Sequence, residues 1–186
     1  MEAKVLHTVE YLVGHLEGID NYKLKANILR NYRQKKFMDD DPESIRNEDI
    51  RLDLFPEVKK LLRAMMDRFH EHYAEKIRPI ASGDINEVVW AVVHGPNEST
   101  NWHDHATHHD YDSGAKVSGV YYVDVPENSG DIVFRVDFNP FVSKLYTEKA
   151  EAGKFILFDS TLPHCVTKNL SGKQRIIISM NFVFDE

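Results

Sequence analysis

The hydrophobic pattern of the chain changes from a helical period to a period of two near residue 84, and this change limits the folds that it can adopt. After that point, short runs of β-branched and aromatic residues alternate with turns that contain glycine or proline. Short strands at this spacing are typical of an antiparallel sandwich or barrel. We predict a β-domain over residues 84–186, with strands at 87–93, 101–105 (returning antiparallel to the first), 117–125, 131–137, 141–148, 155–158, 165–167 and 175–184.

The first 83 residues have the period of amphipathic helices, and they predict a helical segment that supports the β-domain as part of one structural unit. Apolar residues recur at helical spacing over residues 5–16 and again after Asp20, which is a plausible N-cap. Residues 39–49 predict a polar loop. The clearest helical stripe covers 54–69, with Pro56 in its first turn and a second proline beyond its end.

Composition excludes several classes of protein. The chain has 30 acidic and 23 basic residues and a formal charge of -7, so it lacks the basic footprint of a nucleic-acid-binding domain. It has no apolar run long enough to cross a membrane and no hydrophobic region of a secretory signal at its N-terminus. Its single cysteine, Cys165, excludes an internal disulfide framework. We therefore expect a cytoplasmic protein with no membrane or nucleic-acid partner.

Histidines are concentrated at the start of the β-domain, where five of the ten fall between residues 94 and 109. If the segment around His103 and His105 is extended, both imidazoles point to the same face and can bind one metal ion. His164, which follows a proline and begins a short strand, is the best third ligand. Histidine ligands suit iron, zinc, copper or nickel.

A second pair of ligands lies a few residues further on. His108 and Asp110 also have the spacing of a His-x-Asp motif, and with His164 they would form the two-histidine, one-carboxylate set that is typical of non-haem Fe(II) oxygenases. The residues alone leave both ligand sets open.

Arg175 begins a strand that is otherwise almost wholly apolar and shares one face of it with Ser179. A guanidinium inside a barrel is costly unless an anion pairs with it, and a carboxylate can accept both arms of its fork. Of the neighbouring tyrosines Tyr121 and Tyr122, one must point into the interior, where its hydroxyl needs a partner. These residues are candidate ligands for a small diacid, although a surface ion pair of Arg175 and a core tyrosine would also fit the pattern.

Four segments of the β-domain together resemble the 2-oxoglutarate- and Fe(II)-dependent dioxygenases. The similarity covers roughly residues 88–184 and is greatest to prolyl-hydroxylase-like members and to the branch whose hairpin reads SGVYYV. The order of the segments and the spacing from the distal histidine to the co-substrate arginine both fit this family. The four segments are WAVVHGPNESTNWHDH, SGVYYVDVPENSGDIVF, GKFILFDSTLPHCV and KQRIIISMNF.

The resemblance implies a mainly β protein, a double-stranded β-helix (jelly roll) with N-terminal helices, that uses Fe(II) and 2-oxoglutarate. It implies hydroxylation of an unidentified small-molecule or peptide substrate by dioxygen, with release of succinate and CO2. His164 corresponds to the distal iron ligand and Arg175 to the residue that pairs with the far carboxylate of 2-oxoglutarate. Tyr122 and Ser179 correspond to neighbours of that carboxylate. No catalytic side chain beyond the metal centre is implied.

The family pattern leaves the first two ligands ambiguous. Counting from Trp90 through the strand and turn gives His103, with His105 in the usual carboxylate position, whereas counting back from SGVYYV gives His108 and Asp110. We prefer the first alignment because it does not cross a loop of variable length. Two other hypotheses are a cupin-type three-histidine iron dioxygenase that does not use 2-oxoglutarate and a non-catalytic jelly-roll binding module.

Overall fold

A computed structural model describes residues 8–31, 35–36, 45–46, 52, 55–80, 88–105 and 114–185. These residues form two helices, α1 (Asn21–Asn31) and α2 (Pro56–His72). They also form twelve strands: β1 (Tyr11–His15), β2 (Lys35–Lys36), β3 (Ile45–Arg46), β4 (Ile77–Pro79), β5 (Val89–His94), β6 (Thr100–His103), β7 (Val117–Asp124), β8 (Ile132–Asn139), β9 (Val142–Glu148), β10 (Lys154–Asp159), β11 (His164–Val166) and β12 (Arg175–Phe184).

Two antiparallel sheets form the body of the protein. The larger has the order β1-β10-β7-β12-β4, and β5 pairs with the same long strand β12. The smaller has the order β6-β11-β8-β9. The short strands β2 and β3 pair with each other. The predicted mainly β architecture is therefore confirmed.

The larger sheet has a different hydrophobic core on each face. Ile177 of β12 and Val120 of β7 pack with residues of the smaller sheet, such as Phe134, so this cluster fills the space between the two sheets. Ile178 and its neighbours on the opposite face pack with the apolar stripe of α2. The alternation of β12 therefore separates residues that face the interior of the roll from those that face the helices.

Both helices begin where the sequence predicts. The Asp20 carboxylate accepts a hydrogen bond from the backbone N–H of Lys23 at 3.0 Å, as an N-cap does. Pro56 occupies the first turn of α2, where its missing N–H costs nothing. No helix within the described part of the chain has the length and apolar character needed to cross a membrane.

The predicted helix over residues 5–16 is wrong where the structure describes it. Residues 11–15 form β1, which pairs along the edge of β10 with Gly14 opposite Phe155. A Cβ at Gly14 would lie 3.0 Å from the Phe155 ring, so this strand passes close over that side chain. Glycine is a poor helix former, and the open edge of β10 supplies backbone partners that local sequence cannot reveal.

Three further differences concern strands. β4 is an additional strand after α2, and β3 lies inside the predicted polar loop at 39–49. β5 and β6 do not form the predicted hairpin: β5 pairs with β12, whereas β6 pairs with β11 in the other sheet. The N-terminal segment is thus not purely helical, because β1 and β4 both extend the larger sheet. The boundary that we predict between residues 83 and 84 lies outside the described residues.

Two glycines have positions that leave little or no room for a side chain. A Cβ at Gly119 would lie 3.0 Å from Met65 of α2, so this glycine lets the helix pack closely on β7. Gly130 has a φ of 92°, and a Cβ there would collide with the Thr167 carbonyl. That backbone conformation directs the Gly130 carbonyl oxygen to the Arg175 side chain.

Candidate active site

Three of the predicted metal-ligating histidines converge between the two sheets. His103 ends β6 and His164 begins β11, and the two are directly paired across the strands. Their ring centroids are 4.2 Å apart, and His105 stacks at 5.3 Å from His103. One nitrogen of each ring lies within 4.8 Å of those of the other two. The structure therefore brings together the preferred set of His103, His105 and His164.

Hydrogen bonds hold the Nδ1 atom of each ring. His103 Nδ1 donates to the Asn101 carbonyl at 2.8 Å, and His164 Nδ1 donates to the Leu162 carbonyl at 2.9 Å. His105 Nδ1 lies 2.9 Å from an oxygen of the Asn181 amide. Because Nδ1 carries the proton in each case, Nε2 is the nitrogen whose lone pair can bind a metal.

The environment keeps His103 and His164 in the neutral form that binds metal. Burial, followed by the neighbouring His103 and His105, lowers the pKa of His164 well below its ordinary value; its side chain is only 3% exposed. Burial also lowers the pKa of His103. Phe158 and Phe134 pack against the His164 ring on the inner side, with centroids 4.8 and 6.1 Å away. Such a set of neutral nitrogen donors fits a divalent transition metal.

The alternative ligands His108 and Asp110 lie outside the described residues. The choice between the two ligand pairs therefore stays a prediction. The convergence of His103 and His105 on His164 supports the first pair.

Arg175 points into the interior of the roll and is only 1% exposed. Its guanidinium donates to the Gly130 carbonyl at 2.9 Å and to His94 Nδ1 at 2.7 Å, both of which are neutral acceptors. Burial lowers its pKa to about 10, so it remains a cation at neutral pH. Its Nε has no hydrogen-bond partner among the residues that the structure describes. A buried cation with an unpaired donor is costly, and an anionic ligand would offset that cost.

His94 helps to hold the Arg175 guanidinium in place by accepting a hydrogen bond from it. Burial and then the charge of Arg175 lower the pKa of His94 to about 3, so its ring is neutral and Nδ1 accepts a hydrogen bond. Its Nε2 donates to the Thr100 hydroxyl at 2.8 Å. Since His94 ends β5 and Thr100 begins β6, this chain of hydrogen bonds links the two sheets and fixes the position of the arginine.

The two predicted co-substrate hydroxyls also face the interior. Tyr122 packs with Ile177 and Val120, and burial raises the pKa of its phenol. Ser179 lies on the same face of β12 as Arg175 and is buried. Among the described residues neither hydroxyl has a hydrogen-bond partner. Tyr121 points the other way and donates to Asn21 of α1 at 2.7 Å.

The interior of the roll therefore fits a metal together with a small anion. Three imidazoles present a nitrogen donor set, and Arg175 has a buried Nε that lacks a partner in the described structure, while Tyr122 and Ser179 face the same interior.

Sequence reasoning missed three residues of this interior. His94, Ser118 and Asn181 contact predicted site residues and are themselves buried. For Asn181 a signal exists, because it shares the inward face of β12 with Arg175. For His94 and Ser118 the contacts join strands that are distant in sequence, and no local pattern indicates them.

Comparison with solved structures shows the same fold. The epimerase SnoN from nogalamycin biosynthesis is 12% identical with a TM-score of 0.70, over 94% of this chain and 78% of that one. A Pseudomonas putida prolyl-4-hydroxylase is 17% identical with a TM-score of 0.64, over 96% and 95%. HygX from Streptomyces hygroscopicus, solved with nickel and 2-oxoglutarate bound, is 13% identical with a TM-score of 0.62, over 94% and 83%. The predicted double-stranded β-helix is confirmed.

No curated protein matches the chain. A family model described as "Putative 2OG-Fe(II) oxygenase" matches residues 88–181, which make up half of the 186-residue chain and include all three converging histidines and Arg175. The chain belongs to this family of 2-oxoglutarate- and Fe(II)-dependent oxygenases.

Proposed function

We propose that this oxygenase hydroxylates its substrate, that His103, His105 and His164 hold Fe(II), and that Arg175 binds the far carboxylate of 2-oxoglutarate. Tyr122 and Ser179 assist Arg175. The observation that carries the proposal is the buried, incompletely paired Arg175 guanidinium inside the same roll as three converging imidazoles. A dicarboxylate that is also a chelating keto acid satisfies both groups at once.

The reaction balances as 2-oxoglutarate, dioxygen and a C–H bond giving succinate, CO2 and a C–OH group. Iron in this site supplies the activation of dioxygen and its coupling to the oxidation of 2-oxoglutarate. The chain's own residues position the keto acid and help to keep water out of the site. Arg175 fixes the orientation of the keto acid through charge-assisted hydrogen bonds, and His94 keeps that guanidinium in place. The rings of Phe134 and Phe158 shield His164 and help to exclude water from the site.

A second outcome of the same chemistry is ring formation, a two-electron oxidation of the substrate that releases water, or epimerisation, which needs two further electrons from an added reductant. In neither case does an oxygen atom enter the product. It is supported by the similarity to SnoN, an epimerase, and to SnoK, which is described as a carbocyclase. The prolyl-4-hydroxylase matches nearly the whole length of both chains and supports hydroxylation.

The direct test is turnover with 2-oxoglutarate. Protein reconstituted with Fe(II) should consume dioxygen and form succinate in equal amounts, and the two should cease together without 2-oxoglutarate. Oxygen uptake that is independent of 2-oxoglutarate would support a cupin-type three-histidine dioxygenase instead. A protein that binds neither the metal nor 2-oxoglutarate would be a binding module.

Labelled dioxygen separates the two outcomes once a substrate is found by screening metabolites and peptides for a change of mass. Hydroxylation places one oxygen-18 atom in the product, whereas epimerisation or ring formation places none.

We also propose a cytoplasmic location, which is supported by the single cysteine.

A further inference from the structure

We propose that Asn181 and Ser118 are positioning residues that hold the His105 ring in its metal-binding orientation. The inference rests on the proposed function, because it takes His105 as a ligand. Neither residue belongs to the predicted site, and both lie deep in the roll: Ser118 is fully buried and Asn181 is 8% exposed.

The three side chains form a closed triangle of hydrogen bonds. His105 Nδ1 lies 2.9 Å from Asn181 Oδ1 and 2.8 Å from Ser118 Oγ. Ser118 Oγ itself donates to Asn181 Oδ1 at 2.9 Å. The two partners are paired residues on β12 and β7 of the larger sheet, so their separation is set by the strand register.

The direction of these bonds fixes the tautomer of His105. An amide oxygen can only accept, and the Ser118 hydroxyl uses its proton on that same oxygen. Both neighbours of His105 Nδ1 are therefore acceptors, and the ring carries its proton on Nδ1. Its Nε2 lone pair then points to the side where His103 and His164 lie.

His105 needs this support more than the other two histidines do. His103 and His164 each lie in a strand and donate to a carbonyl two residues earlier, so their rings are held by their own local backbone. His105 lies beyond the end of β6 and is tied there by its backbone N–H, which donates to the Ser160 carbonyl at 2.8 Å. Its ring depends on side chains 13 and 76 positions away in sequence.

The test measures metal binding rather than turnover. Asn181→Leu removes the acceptor, and its affinity for Co(II) should fall about 10- to 100-fold, as is usual when a partner of a metal-binding histidine is lost. At saturating Co(II), its visible ligand-field absorption should also shift. Asn181→Asp retains an acceptor oxygen at the same position and should keep the affinity within a few-fold of wild type. Ser118→Ala should have a smaller effect than Asn181→Leu.

Asn169→Leu is the matched control. Asn169 is a fully buried asparagine that donates to the backbone carbonyls of His94 and Lys173 and has no hydrogen bond to His103, His105 or His164 in the described structure. It should lower stability while leaving Co(II) affinity and absorption unchanged. Thermal unfolding of each metal-free variant shows whether it folds, and Ser118→Ala decides the question if Asn181→Leu does not fold.

Three outcomes can be told apart. The first two overturn the inference, and the third overturns the proposed function on which it rests. If His103→Ala and His164→Ala lose Co(II) but Asn181→Leu and Ser118→Ala bind it as wild type does, the ligands are right and the positioning role is wrong. If Asn169→Leu loses as much affinity as Asn181→Leu, the effect is general destabilisation. If His103→Ala binds Co(II) as wild type does, the ligand set itself is wrong.

Discussion

The two polar regions inside the roll, the histidine cluster (His103, His105 and His164) and the arginine pocket (Arg175, Tyr122 and Ser179), are held in opposite ways. The outer Nδ1 atom of each clustered histidine has a hydrogen-bond partner. In the arginine pocket, the two terminal nitrogens of the guanidinium donate to the Gly130 carbonyl and to His94, but its buried Nε has no partner in the described structure.

This difference indicates two kinds of binding. The histidine cluster is preorganised by these hydrogen bonds, which suits a metal that remains in place through many turnovers. The arginine pocket keeps an unpaired buried charge, which suits an anion that is bound and released in each turnover. We therefore expect substitutions in the two regions to affect different ligands.

The largest effect should follow loss of a ligand. His164→Ala removes the buried imidazole, and the variant should retain no Fe(II) at concentrations that saturate wild type under anaerobic conditions. Metal content after gel filtration measures this. His108→Ala and Asp110→Ala are the controls for the alternative ligand pair. If either of them loses iron while His103→Ala retains it, the preferred assignment is wrong.

Arg175→Met should act mainly on the arginine pocket. Loss of charge-assisted hydrogen bonds should weaken 2-oxoglutarate binding about 10- to 100-fold. Metal affinity should remain as in wild type, because Arg175 does not contact the histidine cluster. Calorimetry on the metal-free protein measures metal affinity, and calorimetry on the metal-loaded protein measures 2-oxoglutarate affinity. Arg135→Met, at a half-exposed arginine that stacks over Trp102, is the matched control. Equal 2-oxoglutarate affinity in Arg175→Met and Arg135→Met would refute the pairing.

A smaller effect should follow loss of the support behind the arginine. His94→Leu removes the acceptor at 2.7 Å from Arg175 and should weaken 2-oxoglutarate binding roughly tenfold, the size of one such hydrogen bond. His94→Gln keeps an oxygen acceptor and should recover most of the affinity. If both variants bind 2-oxoglutarate as wild type does, His94 does not position Arg175.

The smallest effect concerns stability and pH. The folded-state pKa of His94, about 3, lies below its ordinary value of 6.5. Between these two pH values His94 is protonated in the unfolded chain and neutral in the folded protein. Its contribution to stability is complete above pH 6.5 and is lost as the pH falls towards 3. Between pH 7 and 5, wild type should lose about 2 kcal/mol more unfolding free energy than His94→Gln. Urea titrations at the two pH values measure the difference, and parallel losses would contradict it.

Sequence alone predicted the parts of the fold that depend on local pattern. Alternation along residues 175–184 placed Arg175 and Ser179 on one face, and the structure confirms that this face is buried. At β1, pairing with the edge of β10 outweighs the helical spacing of the apolar residues. The sequence could not predict this, because no local signal indicates that the edge of β10 is open. The polar partners His94 and Asn181 depend on contacts between distant strands, so their roles could be assigned only from the fold.

The N-terminal strands have a consequence for the smallest unit that can fold. Residues 88–181 carry the family match, but β1 lies along β10 and β4 along β12. A fragment cut to the matched residues would have a bare edge along β10, would lose β4 together with the end of β12 on which it pairs, and would have an uncovered apolar surface where α2 packs. Exposed edges of that kind recruit other chains. Such a fragment should aggregate during expression, so the oxygenase should be produced with its N-terminal segment attached.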